Sequence, residues 1–334
     1  MNIFNTILLA AKPDNLIAQF IGVIFDWVGN YGVTVIIFTL ILKLALSPLD
    51  IWQKVATRKQ SKSMARLQPQ LEKIQRQYAN NPQMLQTKQA ELYRKEKVTS
   101  SMLASCLPMI ITMVVFFVVF GGFNAMVKFQ NEQIVTMMFD QYDASMTTEE
   151  LRALYDSIVG DKYKFLWIDN IFMADSWANV VPTYTQFIGH GMGEIGANQI
   201  PNMAVADYDK VMRGAMEAYN KTSFWNIAKW NGYMILPILS IVTSLLSTKF
   251  MQYTNPQQPT GTKEQQRQAQ MSQKMMMIMM PIMMGIFSLF YSSAFSLYIF
   301  ISNLVSTIFN LVFNLVMRKK DKEEQDKLLA TTYR

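Results

Sequence analysis

The chain has one cysteine, Cys106, and one histidine, His190, among its 334 residues. A lone cysteine excludes an intramolecular disulfide, and its place in an apolar run makes a small buried thiol the default. His190 sits in Ile188-Gly189-His190-Gly191-Met192-Gly193 with no second histidine and no cysteine nearby, so no metal site is expected. Nucleophile and base pairs have almost nothing to be built from. There is no Gly-x-x-x-x-Gly-Lys-[Ser/Thr] phosphate loop, no His-Glu-x-x-His and no Gly-x-Ser-x-Gly elbow. An enzyme is disfavoured, and no cofactor is implied.

What the chain has in abundance is apolar residue: 51% of it is hydrophobic, with 26 methionines and 21 phenylalanines. That composition belongs to membrane proteins. Charge is distributed by region. Between Asp50 and Ser100, cations such as Lys54, Arg58, Lys59, Lys62 and Arg66 far outnumber the acids, whereas acids outnumber bases from Ala125 to Trp230. Short basic loops stay on the cytoplasmic side, so the first region is expected inside and the second outside.

The central stretch is Gly29-Asn30-Tyr31-Gly32 followed by Val33 to Leu49. At about 1.5 Å per residue this run covers most of a roughly 30 Å hydrocarbon layer, with Lys43 inside it. A lysine there costs about 2.5 to 3.5 kcal/mol on insertion scales, so it normally faces protein or water. Snorkelling of its long stem to the headgroups is the plain alternative. Thr39, Lys43 and Ser47 recur every four residues and share one face, which favours a wet surface within the membrane.

Taken in order, the chain divides into an interfacial segment (1–28), a first span (29–50) and a cytoplasmic antiparallel helical hairpin (51–100). A second span (101–124), an extracytoplasmic helical insert (125–230), a third span (231–248) and a cytoplasmic loop (249–274) follow. Two spans (275–290 and 294–317) and a basic tail (318–334) complete it. The fold class is thus an all-α integral membrane protein with five transmembrane helices, N-terminus outside and C-terminus inside. Leu16, Phe20, Ile24 and Trp27 share a helical face, which reads as a helix in the outer interface or as a signal segment.

In the hairpin, Leu67, Leu71, Ile74 and Tyr78 follow coiled-coil spacing, and Asn80-Asn81-Pro82 breaks the helix. Its basic face is either solvated, rests on anionic lipid or contacts ribosomal RNA. Thr147 with Glu150 forms a capping box, and Val205 to Tyr219 has a helical pattern. Ser240 and Ser244 repeat along the third span, and Ser302, Asn303, Ser306 and Asn310 along the fifth. Such residues either glue helices together or face water. The methionines around Pro281, Met275 to Met284, are adaptable apolar contacts or ordinary packing and lipid-facing residues.

Several blocks now carry a resemblance. Gly29-Asn30-Tyr31-Gly32 leading to Ser47-Pro48-Leu49, Leu67-Gln68-Pro69 with Leu92 to Val98, Cys106-Leu107-Pro108-Met109, Phe165-Leu166-Trp167-Ile168, Ile235-Leu236-Pro237-Ile238-Leu239, and Leu297-Tyr298 with Ser302-Asn303-Leu304 occur in order. Together they resemble the YidC/Oxa1/Alb3 family of membrane protein insertases over about Trp27 to Lys320.

The resemblance implies a five-helix core around a hydrophilic groove, open to the cytosol and to lipid and closed outside. It also implies a groove cation that attracts acidic residues of incoming chains. Lys43 matches that position, where arginine is usual, and lysine lacks arginine's bidentate fork. The implied groove residues are Lys43, Thr39, Ser47, Ser240, Ser244, Ser302, Asn303, Ser306 and Asn310. The implied partners are nascent membrane proteins, the lipid bilayer, the Sec translocon and the ribosome, in a bacterial plasma membrane. The connection around Phe165 to Trp177 departs from short-loop relatives. Neither an acylated N-terminal cysteine nor a large domain before the core is expected. A solute transporter or channel using the same buried cation is the competing reading, and an outer binding module merely anchored by the spans is a weaker one.

Overall fold

A computed structural model describes residues 15–96, 98–176, 184, 208–213, 231–254 and 263–332. His190 with its glycine-rich loop, most of the 205–219 stretch and the Cys106 side chain lie outside the described residues. The described secondary structure is helical apart from one isolated bridge, Phe165 to Ile168. In order, α1 is Leu16–Val28, α2 Tyr31–Gln77, α3 Pro82–Lys95, α4 Val98–Asp140 and α5 Thr148–Tyr163. A π-helical turn, Asp209–Arg213, precedes α6 (Ile235–Thr254), α7 (Lys263–Phe290) and α8 (Ser293–Thr332).

Two helices run past the limits expected of their spans. α2 continues beyond Asp50 to Gln77, and α4 beyond Asn124 to Asp140. From Ile51 to Arg66 and from Asn124 to Asp140 there is neither glycine nor proline to stop propagation. Pro48 and Pro69 lie inside α2 without ending it. The helix stops at Tyr78 to Asn80. Asn81 then caps α3 by accepting from the Met84 N–H at 3.1 Å, with Pro82 at the first helical position.

Three described helical segments are long and apolar enough to cross a membrane: Tyr31–Gln77, Ile110–Asp140 and Ser293–Lys320. Ile235–Phe250 and Pro281–Phe290 are apolar but shorter. Large apolar side chains on these helices point outward, among them Val114, Phe117, Ile308 and Leu315. Contiguous exposure of this kind suits a lipid solvent better than water.

The chain forms two compact units. The first comprises Met1–Ile41, Val114–Val242 and Ile282–Ile301, and the second Leu42–Met113, Thr243–Pro281 and Ser302–Arg334.

In the first unit, α1 buries Ala18, Ile21 and Ile24 and exposes Leu16, Phe20 and Trp27. Ile24 thus lies on the packed side, apart from Leu16, Phe20 and Trp27, with which its spacing groups it. The reason is local: at three-residue spacing it extends the row set by Ala18 and Ile21. Gly29 takes a left-handed φ of 75° to end α1, and Phe25 stacks on Tyr31 across the link at 3.8 Å. Asn30 accepts from the Val33 N–H at 3.2 Å and donates through its amide to the carbonyls of Asp161 and Lys164 at 3.0 Å each. The start of α2 is thereby tied to the end of α5.

Beside this, a Cβ on Gly32 would stand 2.1 Å from the Phe165 ring, so only glycine lets that ring dock. Gly32→Ala should cost about 1–3 kcal/mol of stability through overpacking. Gly22→Ala, where nothing lies within 4 Å, should stabilise α1 slightly. Thermal unfolding of the two variants in detergent micelles checks the contrast.

The segment 164–176 has no helix of its own, yet it is buried from Ile168 onward except at Asp169. Its polar groups are met by the ends of other elements. Asn231 accepts from the Asn170 N–H at 2.8 Å and donates to the carbonyls of Asn170 and Ala174. The Ser293 N–H and hydroxyl both donate to the Met173 carbonyl, and Ser176 donates to the Leu289 carbonyl. Asp175, fully buried, accepts from the N–H groups of Met234 at 2.9 Å and Leu236 at 2.8 Å. These contacts satisfy the free donors at the start of α6 and α8 and a free acceptor at the end of α7. The capping box at Thr147 forms as the sequence indicates, with the Thr147 N–H donating to Glu150 and the Glu150 N–H to Thr147.

In the second unit, Leu67 and Leu71 of α2 are buried against Met64, Leu92 and Tyr93. This is the apolar seam of a helical hairpin made by α2 and α3. On α3, Leu85 is buried and Met84 is exposed.

Candidate functional site

The site is assembled from the second unit. Lys43 is half-buried on α2, and its Nζ donates to the Ser306 hydroxyl of α8 at 2.9 Å. The contact joins residues 263 apart in the chain, so it is a product of the fold and not of local sequence. A serine hydroxyl satisfies one of three ammonium donors and leaves the positive charge intact. Lys43 and Asp50 also interact electrostatically along the same helix.

Nearby on α8, the Asn303 amide donates to the Ser244 hydroxyl of α6. Asn303 also accepts from Thr307 through its backbone carbonyl at 2.7 Å. Ser302 is half-buried and Asn310 buried on the same helix. Ser47 donates to the Leu44 carbonyl of its own helix at 2.8 Å. Three helices, α2, α6 and α8, thus contribute polar side chains to one unit.

Two expected groove residues lie in the first unit. Thr39 is fully buried and donates to the Val35 carbonyl at 2.6 Å, and Ser240 donates to the Pro237 carbonyl at 2.8 Å. Such bonds to the preceding turn are the usual way for a hydroxyl to sit in an apolar helix. What the structure brings into direct contact is therefore Lys43 with Ser306 and Asn303 with Ser244.

From the sequence alone, Lys54 is one charge in a basic region. Its Nζ lies 4.0 Å from the ring centre of Phe309 and 5.4 Å from that of Phe313. The signal for it was available: Lys43, Ser47, Asp50 and Lys54 keep the i, i+4, i+7, i+11 spacing of one helix face. Among the described residues, no group of three or more His, Cys, Asp or Glu side chains is arranged to hold a metal. The arrangement offers a cation and neutral hydrogen-bonding groups, which suit the binding of an anion.

Among the described residues, helices long and apolar enough to cross a membrane, one of them carrying a cation bonded to a second, define a helical membrane protein with a polar site. The family model described as 60Kd inner membrane protein matches residues 23–322, so the chain belongs to that family, the YidC/Oxa1 family. Curated relatives bear the name Membrane protein insertase YidC. The protein of Fusobacterium nucleatum subsp. nucleatum is 41% identical over 111 residues, covering 32% of this chain and 51% of the relative. That of Clostridium perfringens is 35% identical over 107 residues, covering 32% of this chain and 42% of the relative. That of Chloroherpeton thalassium is 38% identical over 117 residues, covering 35% of this chain and 19% of the relative. The chain spans about half the length of the first of these and less of the others.

Proposed function

We propose that this chain is a membrane protein insertase. It takes short hydrophilic tails of nascent membrane proteins into a polar groove and releases their apolar segments into lipid, without a nucleotide, cofactor or covalent step. Family membership and the insertase names of the relatives support this reading. The observation that carries it is the Lys43 ammonium on a bilayer-length helix, bonded to a neutral hydroxyl.

The physical difficulty of insertion is carrying a polar tail through hydrocarbon. A hydrated groove partway across shortens that path, and a cation in it gives an acidic tail a temporary partner. Partition of the apolar segment into lipid then supplies the driving force. The residues proposed for the groove are Lys43, Ser47, Ser244, Ser302, Asn303, Ser306 and Asn310, with Thr39 and Ser240 on the same helices. The proposed topology has five spans, the N-terminus outside, and the α2–α3 hairpin and C-terminus in the cytoplasm of a bacterium, with the Sec translocon and the ribosome as candidate partners.

The test is depletion of the protein followed by membrane integration of a small reporter with an acidic N-terminal tail, scored by protease protection. Integration should fail on depletion and return with the full chain. Unimpaired integration on depletion, or ion flux through the purified protein in liposomes, would favour the transport reading instead.

A further inference from the structure

Lys54 lies further along the helix face that holds Lys43, about 16 Å away at 1.5 Å per helical residue. Its stem is half-buried, and its ammonium is held against the faces of Phe309 and Phe313. Among the described residues that ammonium has neither a hydrogen-bond nor an ion-pair partner, so its three N–H donors are free for a carboxylate. Aromatic faces attract a cation without consuming its donors. Asp50 lies between the two lysines in sequence and interacts electrostatically with both. α8 supplies the opposing groups for each lysine: Ser306 for Lys43, then Phe309 and Phe313 for Lys54.

We propose that Lys54 is a second binding station for carboxylates of an incoming chain, with Asp50 as the internal competitor that keeps occupancy of both stations short. The proposal rests on the insertase reading and deepens it. An extended tail rises about 3.3 Å per residue, so two acidic residues about five positions apart would reach both cations at once. The site therefore selects for acid spacing as well as acid number.

The full-length protein is tested with two reporters of one sequence, one carrying a single aspartate in its tail and one carrying two aspartates five residues apart. The readout is the ratio of two-acid to one-acid integration. Lys54→Met keeps an apolar stem against Phe309 and Phe313 while removing the charge, and it should bring the ratio from severalfold down to near one. Lys54→Arg should restore the ratio. Equal loss for both reporters would assign Lys54 to packing, and an unchanged ratio would also overturn the proposal. If Lys43→Glu spared both reporters, the Lys43 reading would fail and the two-station reading with it, whereas a loss with Lys43→Glu beside an unchanged ratio with Lys54→Met would overturn the second station alone.

Discussion

Lys43→Glu should cut integration of an acidic-tailed reporter by about tenfold or more. Each tenfold corresponds to about 1.4 kcal/mol, and reversing the charge replaces attraction by repulsion at the same point. The new carboxylate would also sit near Asp50 on the same helix face, adding like-charge repulsion. Lys43→Arg should retain most activity, since guanidinium keeps the charge and can donate to both Ser306 and a carboxylate. Protease protection of the reporter tail in membrane vesicles measures both variants against equal amounts of protein. Full integration with Lys43→Glu would remove the groove cation from the mechanism.

The second large effect is expected at Asp175. Its carboxylate takes the N–H groups of Met234 and Leu236, so Asp175→Ala leaves two donors at the start of α6 without their partner. Loss of a helix-start acceptor together with desolvated donors should cost about 2–4 kcal/mol. Asp175→Asn keeps one acceptor oxygen and should cost less than half as much. Met234 adds to the burden, because its φ of 58° is a strained value for a residue with a side chain.

Burial holds the Asp175 carboxyl above the usual carboxylate range, against the opposing pull of the Leu236 and Met234 N–H groups. A raised carboxyl favours the protonated folded form. Its contribution is therefore complete below the ordinary aspartate value of about 4 and declines as pH rises to the folded value. Thermal unfolding of the wild type should accordingly lose ground relative to Asp175→Asn across that window. A difference that stays flat with pH would contradict the burial argument.

Much of this architecture was readable from residue order. The Asn81-Pro82 break and the Thr147–Glu150 box are local devices that work through neighbours in sequence, so pattern alone identifies them. The apolar seam of Leu67 and Leu71 follows from helical period. Long-range pairing was not readable in the same way. Nothing near Lys43 says that Ser306 is its partner, and Lys54 looked like one more surface charge because its aromatic neighbours lie on α8.

The segment 164–176 was harder still. It has no periodicity, and its role depends on meeting helix ends from four other parts of the chain. Buried polar residues such as Asn170, Asp175 and Asn231 are the sequence traces of that arrangement, and burial is not written in the sequence. Ile24 is the opposite case: an apolar residue fits either face of an apolar helix, so packing sets its side.

The choice of Ser306 as the companion of Lys43 bears on turnover. A carboxylate in that place would neutralise the lysine permanently and leave nothing for a visitor to find. On the proposed reading, a hydroxyl steadies the side chain yet would yield readily to a stronger guest, so after each departure the site would be reset with no fuel consumed.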